Sequence, residues 1–376
     1  MSSVNPSDPS HAISRILVVR SCQHHPEIER ILTRSRLPHE VIDDGAVDEV
    51  LNRLTAGSLS AGKKILLLRT NKGGFIKQCP ATRCYRCCRY RILYIGGGCP
   101  MDCSYCILQA YLNQPCITSF VNVEDLTTEL KGELNADMQL FLRYGSGEFT
   151  DSLALDPITN LSSVLVPLFA SQDRALLELK TKSASIDGLK DISHHKNTIV
   201  SWSLNSEKII ACEEHGSASL GQRLAAAAQC SSWGYPLAFH FDPIIAHHGW
   251  REGYENTIEQ LFAAVPANSI KWISMGAFRF MPKLKKIGGE RFPYSEIFSH
   301  EFITGLDQKK RYFRSLRVEL YKHVYDLLKA YADPRTCIYF CMESDEIWHE
   351  VMGFVPSDRN GLQAMLDAAA MDRSIG

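Results

Sequence analysis

From residue 91 onward, short apolar runs alternate with helical patterns, and this alternation constrains the fold more than any other feature of the chain. Strand-like runs stand at 92–95, 139–144, 175–180, 198–204, 237–241 and 270–275. Helical periodicity fills the intervals at 123–134, 161–171, briefly at 186–193, then at 221–234 and 254–265. Six strands separated by helices predict an α/β fold, either a parallel sheet or a partial, open (β/α)6 barrel. In such folds chemistry collects where the strands end.

Ahead of this repeat, 16–19 and 65–68 read as short buried strands, with helices near 26–33 and 46–55. After about residue 283 a loop rich in Gly, Pro and aromatics leads to a long amphipathic helix at 307–331, a strand at 337–341 and a last short helix. The expected organisation is therefore a small N-terminal α/β segment (1–76), a barrel core (77–282) and a helical C-terminal extension (283–376). A chain of 376 residues that is 45% hydrophobic can bury such a core. No run approaches the roughly eighteen apolar residues of a membrane span, and residues 1–11 lack a basic-then-apolar leader. A cytoplasmic protein with no membrane partner is expected.

The formal charge of −1 hides an uneven distribution. Residues 63–91 hold nine Lys/Arg and no acid, and residues 271–317 hold eleven against four. A uniformly basic nucleic-acid binder is excluded, whereas two basic stretches that face phosphates, or simply solvent, are not.

Thirteen cysteines, eight of them between Cys79 and Cys116, do not suit scattered disulfides in a cytoplasmic chain. Directly after the first barrel strand comes Gly96-Gly97-Gly98-Cys99-Pro100-Met101-Asp102-Cys103-Ser104-Tyr105-Cys106. Three thiolates at C-x3-C-x2-C spacing can hold three irons of a 4Fe–4S cube and leave the fourth open to a small molecule. A zinc knuckle would need a fourth ligand, and none follows at finger spacing. The glycines let backbone approach a cluster without a Cβ clash, and Tyr105 is placed to pack against it.

This loop resembles that of the radical-SAM superfamily. Residues 99–109, Ser119 to Leu126, Lys180-Thr181-Lys182, Ser203-Leu204-Asn205, and Gly234-Tyr235-Pro236-Leu237 through His247-His248-Gly249-Trp250 are similar in order and spacing to the spore photoproduct lyase family, over about 77–280. The resemblance implies a radical-SAM barrel with a 4Fe–4S cluster on Cys99, Cys103 and Cys106 and S-adenosyl-L-methionine (SAM) on its open iron. One electron then yields methionine and a 5′-deoxyadenosyl radical. In that family the radical takes a hydrogen from a methylene-bridged thymine dimer in DNA, and the bridge fragments to restore two thymines. An electron donor such as a ferredoxin or flavodoxin is implied as well.

Site roles follow from the same resemblance. Gly147-Glu148 matches the pair that receives the SAM ammonium; Lys182 and Ser203 match positions around the SAM carboxylate, with Asn205 beside them. The family's hydrogen-donor cysteine precedes a Thr-Asp pair, but before Thr150-Asp151 this chain has Glu148 and Phe149. A tyrosine after the third cluster cysteine is replaced by Ile107, which leaves Tyr105 as the remaining catalytic candidate of that relay. The family's DNA-contacting hairpin is not recognisable; the expected basic helix stands in its place.

Three further groups are read from the residues themselves. Cys79, Cys84, Cys87 and Cys88, with basic neighbours Arg83, Arg86 and Arg89, could form a second metal site, a redox or radical site, or plain structure. Asp242 and His247 follow the fifth strand, where a barrel meets its substrate. Lys309, Arg311 and Arg314, with Lys310 and Arg317, form a basic stripe on the expected helix that could bind phosphates or pack with snorkelling side chains. The leading functional reading is radical-SAM lyase chemistry on damaged DNA. The alternatives are a radical-SAM enzyme for a small molecule or nucleotide, and a catalytically silent iron–sulfur DNA-binding or redox-sensing protein.

Overall fold

The computed structural model describes residues 8–79, 84–112, 114–136, 141–357 and 361–371. Arg83 and the first two residues of the strand expected at 139–144 lie outside them. The chain divides into two compact units, one of Met1–Gln78, Arg91–Thr198 and Gly216–Ala218, the other of Cys79–Tyr90, Ile199–His215 and Ser219–Gly376.

In the first unit the N-terminal segment is a parallel sheet. Arg15–Val19 lies between His39–Ile42 and Ile65–Arg69, and the last of these pairs in turn with Ile117–Phe120. The runs Ile16-Leu17-Val18-Val19 and Ile65 to Leu68 are buried, as strands covered on both faces must be. Helices Pro26–Ser35 and Val47–Thr55 cover them with Ile28, Ile31, Val50 and Leu51. Strands His39–Ile42 and Ile117–Phe120 were not expected; each is too short and too exposed to show a period.

The same unit carries the first barrel strands. Arg91–Leu93, Leu142–Gly145 and Ala175–Thr181 run parallel, and Ile76–Gln78 pairs antiparallel with the first. Helices Val123–Ala136 and Ser162–Ala170 fall where periodicity placed them. The helical pattern at 186–193 is only a 3-10 turn, Asp187–Leu189.

The second unit continues the alternation with the parallel strands Thr198–Ser203, Leu237–Ile244, Ile270–Ala277 and Cys337–Phe340. Helices Leu220–Ser232 and Trp250–Ala264 connect them, the former opened by a capping box between Ser219 and Gln222. The C-terminal part departs from expectation in two places. Residues 282–291, read as loop, form the helix Pro282–Arg291. The helix expected from 307 begins only at Arg314, because Phe302–Thr304 and Lys310–Tyr312 pair as a hairpin and Arg279–Phe280 joins as a third antiparallel strand. Phe278, Phe280, Phe298, Phe302 and Tyr312 pack edge-to-face and stacked around this small sheet, which gives the hairpin its reason to form. The basic stripe is thus split between strand and helix.

Among the described residues, no helix is long and apolar enough to cross a membrane.

Candidate active site

The glycine-led loop of the first unit is held from several sides. Gly96–Gly97 pairs antiparallel with Ile117–Phe120, and Gly98, at φ +87°, donates its N–H to the Phe149 carbonyl at 2.9 Å. The Lys63 ammonium caps the Cys99 carbonyl at 2.9 Å, bonds Met101 O as well, and lies 3.6 Å from Asp102. Gln109 donates to the carbonyls of Cys103 and Ser104 at 3.0 and 3.2 Å, and the Cys106 N–H closes on Cys103 O. A Cβ on Gly96 would stand 2.2 Å from the Thr118 carbonyl oxygen. Gly96→Ala should therefore force the loop off its strand at a cost of about 1–3 kcal/mol, and iron incorporated per chain should fall. Gly132→Ala, whose Cβ meets nothing within 4 Å, is the control that should leave iron content unchanged.

Burial pushes the Cys99 thiol up to about 12, with Asp151 and Cys106 nearby adding to the effect and Lys63 opposing it. Among the described residues no three Cys, His, Asp or Glu side chains are gathered as a single metal ion needs. A cube asks for something else, one thiolate per iron.

Asp151, used in the sequence only to mark register, organises this neighbourhood. It accepts from the N–H groups of Leu153 and Ala154 at 3.0 and 2.8 Å, from the Thr181 hydroxyl at 2.7 Å and from the Lys182 N–H at 2.8 Å. The loop after Leu142–Gly145 is thereby fastened to the end of Ala175–Thr181. Gly147 sits against Lys180, where a Cβ would come within 2.9 Å of its side chain. Lys182 extends its ammonium over the Tyr105 ring, 5.7 Å from its centre. Cys99, Tyr105, Gly147 and Lys182 thus share one neighbourhood, with Glu148 on the exposed part of the same loop. Phe149 packs edge-on to Tyr94, with ring centres 5.2 Å apart.

The other predicted residues belong to the second unit. Ser203 ends its strand buried, and its carbonyl accepts from Arg223 at 2.8 Å; the same guanidinium binds Glu214, and both charged groups are inaccessible to solvent. The Asn205 amide is engaged by its own fold: Nδ2 donates to Pro243 O at 2.9 Å, while Oδ1 accepts from the Tyr254 hydroxyl at 2.6 Å and the Ser206 N–H at 3.1 Å. Tyr254 also receives the Ile245 N–H, so Asn205 and Tyr254 together set the 242–248 loop. Asp242 forms a two-pronged pair with Arg279 at 2.9 and 3.0 Å, laid across Gly276.

His247 bonds Ser206 Oγ through Nε2 at 2.7 Å and the His248 carbonyl through Nδ1 at 2.9 Å. Burial lowers its pKa below 6.5, against the raising effect of the carbonyl bond and with nearby Lys208 and His248 adding to the fall. The unfolded chain therefore binds this proton more readily than the folded one. Its contribution to stability is full above pH 6.5 and declines as pH falls from there through the folded pKa. His247→Gln should flatten the melting temperature between about pH 7 and pH 5 relative to the parent chain.

The basic residues of the C-terminal stretch are largely committed. Arg311, 2% exposed, binds Asp307 at 2.7 Å and lies 3.6 Å from Glu343. Arg317 donates to Tyr312 O and pairs with Glu343, and Arg314 pairs with Glu350. The lysines differ: Lys310 donates to the Thr304 hydroxyl at 2.9 Å, while the Lys309 ammonium lies 3.9 Å from the Met342 thioether, and burial, with Arg279 and Arg311 nearby, lowers its pKa despite Asp307.

Of the four-cysteine group, Cys84 is exposed while Cys79, Cys87 and Cys88 are half-buried. The Cys88 thiol donates to Cys87 Sγ, as does the Arg89 N–H at 3.3 Å, and these bonds bring Cys87 down to about 6 against burial and the nearby Cys79 and Cys341. Cys341, which directly follows the strand Cys337–Phe340, is a further cysteine near Cys87 that spacing in the sequence alone does not place.

A family model described as spore photoproduct lyase matches residues 85–332. The spore photoproduct lyase of Bacillus subtilis (strain 168) is 29% identical over 231 residues, 61% of this chain and 66% of that protein. The chain therefore spans just under two thirds of that relative's length. The spore photoproduct lyase of Clostridium acetobutylicum is 20% identical over 285 residues, 76% of this chain and 81% of that one. A solved structure of a spore photoproduct lyase double mutant with bound AdoMet and dinucleoside spore photoproduct matches with a TM-score of 0.76 and 21% identity, covering 88% of this chain and 99% of that one. The fold is thus the radical-SAM partial barrel with a helical C-terminal region.

Proposed function

Because the chain belongs to the spore photoproduct lyase family, we propose that it is a radical-SAM lyase that repairs a thymine photoproduct in DNA. The observation that carries the proposal is the Cys99–Cys103–Cys106 loop, locked by Lys63 and Gln109 beside the Asp151-fastened strand end that presents Lys182.

The residues suit the implied cofactors. Three cysteines of one rigid loop offer one thiolate to each of three irons, and their carbonyls are already turned to Lys63 and Gln109. When bound, the cluster and SAM supply one-electron cleavage of the sulfonium and hence the power to abstract hydrogen. In this reading the Lys182 ammonium would meet the SAM carboxylate and the Glu148 carboxylate its ammonium. Tyr105 shields the loop and shares its face with Lys182. Asp151 keeps the two strand ends in register, so that donor and acceptor stay aligned without reorganising. Arg223 does the same for Ser203, and Tyr254 for Asn205. Lys309 is the C-terminal cation proposed to meet a DNA phosphate, because Arg311 and Arg314 are already paired with Asp307 and Glu350. A ferredoxin or flavodoxin is the proposed electron donor, and the core 77–282 the part that carries the chemistry.

A second reading, radical-SAM chemistry on a small molecule or nucleotide, is favoured by one observation: Glu148 and Phe149 stand where the family places its hydrogen-donor thiol. Anaerobic incubation with SAM, dithionite and dinucleoside spore photoproduct separates the readings. Restored dinucleoside with 5′-deoxyadenosine is expected. Deoxyadenosine without restored dinucleoside would favour the second reading, and no deoxyadenosine under any condition would leave the silent sensor.

A further inference from the structure

Two chain segments far apart in sequence are stapled together in the second unit. Arg86 grips Asp345 with two bonds, Nε to Oδ1 at 2.8 Å and Nη2 to Oδ2 at 2.6 Å. Next to it, the Tyr85 ring lies 4.8 Å from the Arg311 guanidinium, and Arg311 also donates to the Met342 carbonyl at 3.3 Å. Tyr85 and Arg86 stand just before Cys87, Met342 and Asp345 just after Cys341, and Arg311 bridges Tyr85 to Met342. Met342, at φ 60°, turns the chain sharply beyond Cys341, whose own N–H is fixed to Met275 O at 2.9 Å. Cys341 Sγ accepts from Arg279 at 3.6 Å. Both sulfurs are half-buried, each has an N–H donor directed at it, and the Arg86–Asp345 pair holds their two segments together.

We propose that Cys87 and Cys341 form a redox-active dithiol that exchanges with low-molecular-weight disulfides. In the first step the Cys87 thiolate attacks one sulfur of a disulfide such as glutathione disulfide. The small disulfide's S–S bond breaks, a mixed disulfide forms and one thiolate leaves. Cys341, as thiolate, then attacks Cys87 Sγ; the Cys87–Cys341 bond forms and the second small thiolate departs. Two protein thiols are oxidised, one small disulfide is reduced to two thiols, and the protons released by the protein are taken up by the leaving thiolates. Cys88 is the less suitable resolving partner, because neighbouring cysteines close a strained ring through their shared peptide bond.

The full-length protein with its cluster reconstituted is equilibrated anaerobically in buffers of graded glutathione to glutathione disulfide ratio, acid-quenched, alkylated and digested for mass spectrometry. A Cys87–Cys341 linked peptide is expected, rising with the disulfide ratio and removed by dithiothreitol. Arg86→Ala cuts the staple and should lower the equilibrium constant for the link at least about tenfold through lost effective concentration, whereas Cys88→Ser should retain the link. Separate alkylation of Cys87 and Cys341 in the parent chain across the whole range would overturn the proposal. So would linkage of Cys87 to Cys79 or Cys88 instead, or protection of the thiols by a zinc ion that a chelator removes.

Discussion

Replacing Cys99, Cys103 or Cys106 with alanine is expected to abolish iron incorporation and deoxyadenosine formation together while leaving the folded chain intact. The three thiols sit on a loop held through many backbone contacts. Gly96–Gly97 pairing, the Lys63 cap and the Gln109 bonds to Cys103 and Ser104 carbonyls all use backbone atoms that survive the substitution. Removing one thiolate leaves two, too few for a cube with one open iron. The check is iron and sulfide per chain, beside circular dichroism of each variant. Cys116 is a suitable control: it is buried in the core under the Ile117–Phe120 strand, and burial pushes its thiol up to about 11. Cys116→Ala should cost stability but leave iron content unchanged.

The largest effect on stability is expected at Arg223. Its guanidinium is 0% exposed and is shared between the Ser203 carbonyl and the equally buried Glu214 carboxylate. Arg223→Met strands Glu214 without its counter-charge, which typically costs about 3–5 kcal/mol. Replacing both residues with apolar ones of similar volume should recover much of that loss, because two desolvated charges disappear together. Urea unfolding of the two single variants and the double variant measures this: the double should be less destabilised than Arg223→Met alone. SAM affinity should behave differently. Ser203 loses its anchor in both Arg223 variants, so weaker SAM binding should persist in the double variant even where stability returns.

Many strands were legible because a strand buried on both faces reads as a near-continuous apolar run: Ile65 to Leu68 in the N-terminal sheet, and Ala175 to Leu179 and Leu237 to Phe241 in the barrel, the latter two each broken by one buried polar residue, Glu178 or His240. The C-terminal part was less legible for identifiable reasons. Gly288 and Gly289 read as loop-formers, yet both lie inside a helix, where Gly288 is needed because a Cβ there would stand 2.6 Å from the Phe298 ring. Lys309 to Arg311 read as the first turn of an amphipathic helix. Gly305 and Gln308, the latter at φ 62°, instead turn the chain into a hairpin whose aromatic packing lies outside any local period.

The site divides along the same line. The cluster loop could be read because its spacing is local. The roles of the basic residues could not, since the carboxylates that engage Arg279 and Arg317 lie 37 and 26 positions away. Asp151 was visible only as a marker of register. Its function as a four-bond fastener appears once Thr181 and Lys182 are brought beside it.

The central claim is that Cys99, Cys103 and Cys106 hold a cluster with one iron open to SAM. Electron paramagnetic resonance of the dithionite-reduced, reconstituted chain, recorded without and with SAM, tests it most directly. The account predicts a reduced-cluster signal that changes on SAM addition, with the change weakened in Lys182→Ala. A signal indifferent to SAM, or an iron content unaffected by Cys103→Ala, would contradict it.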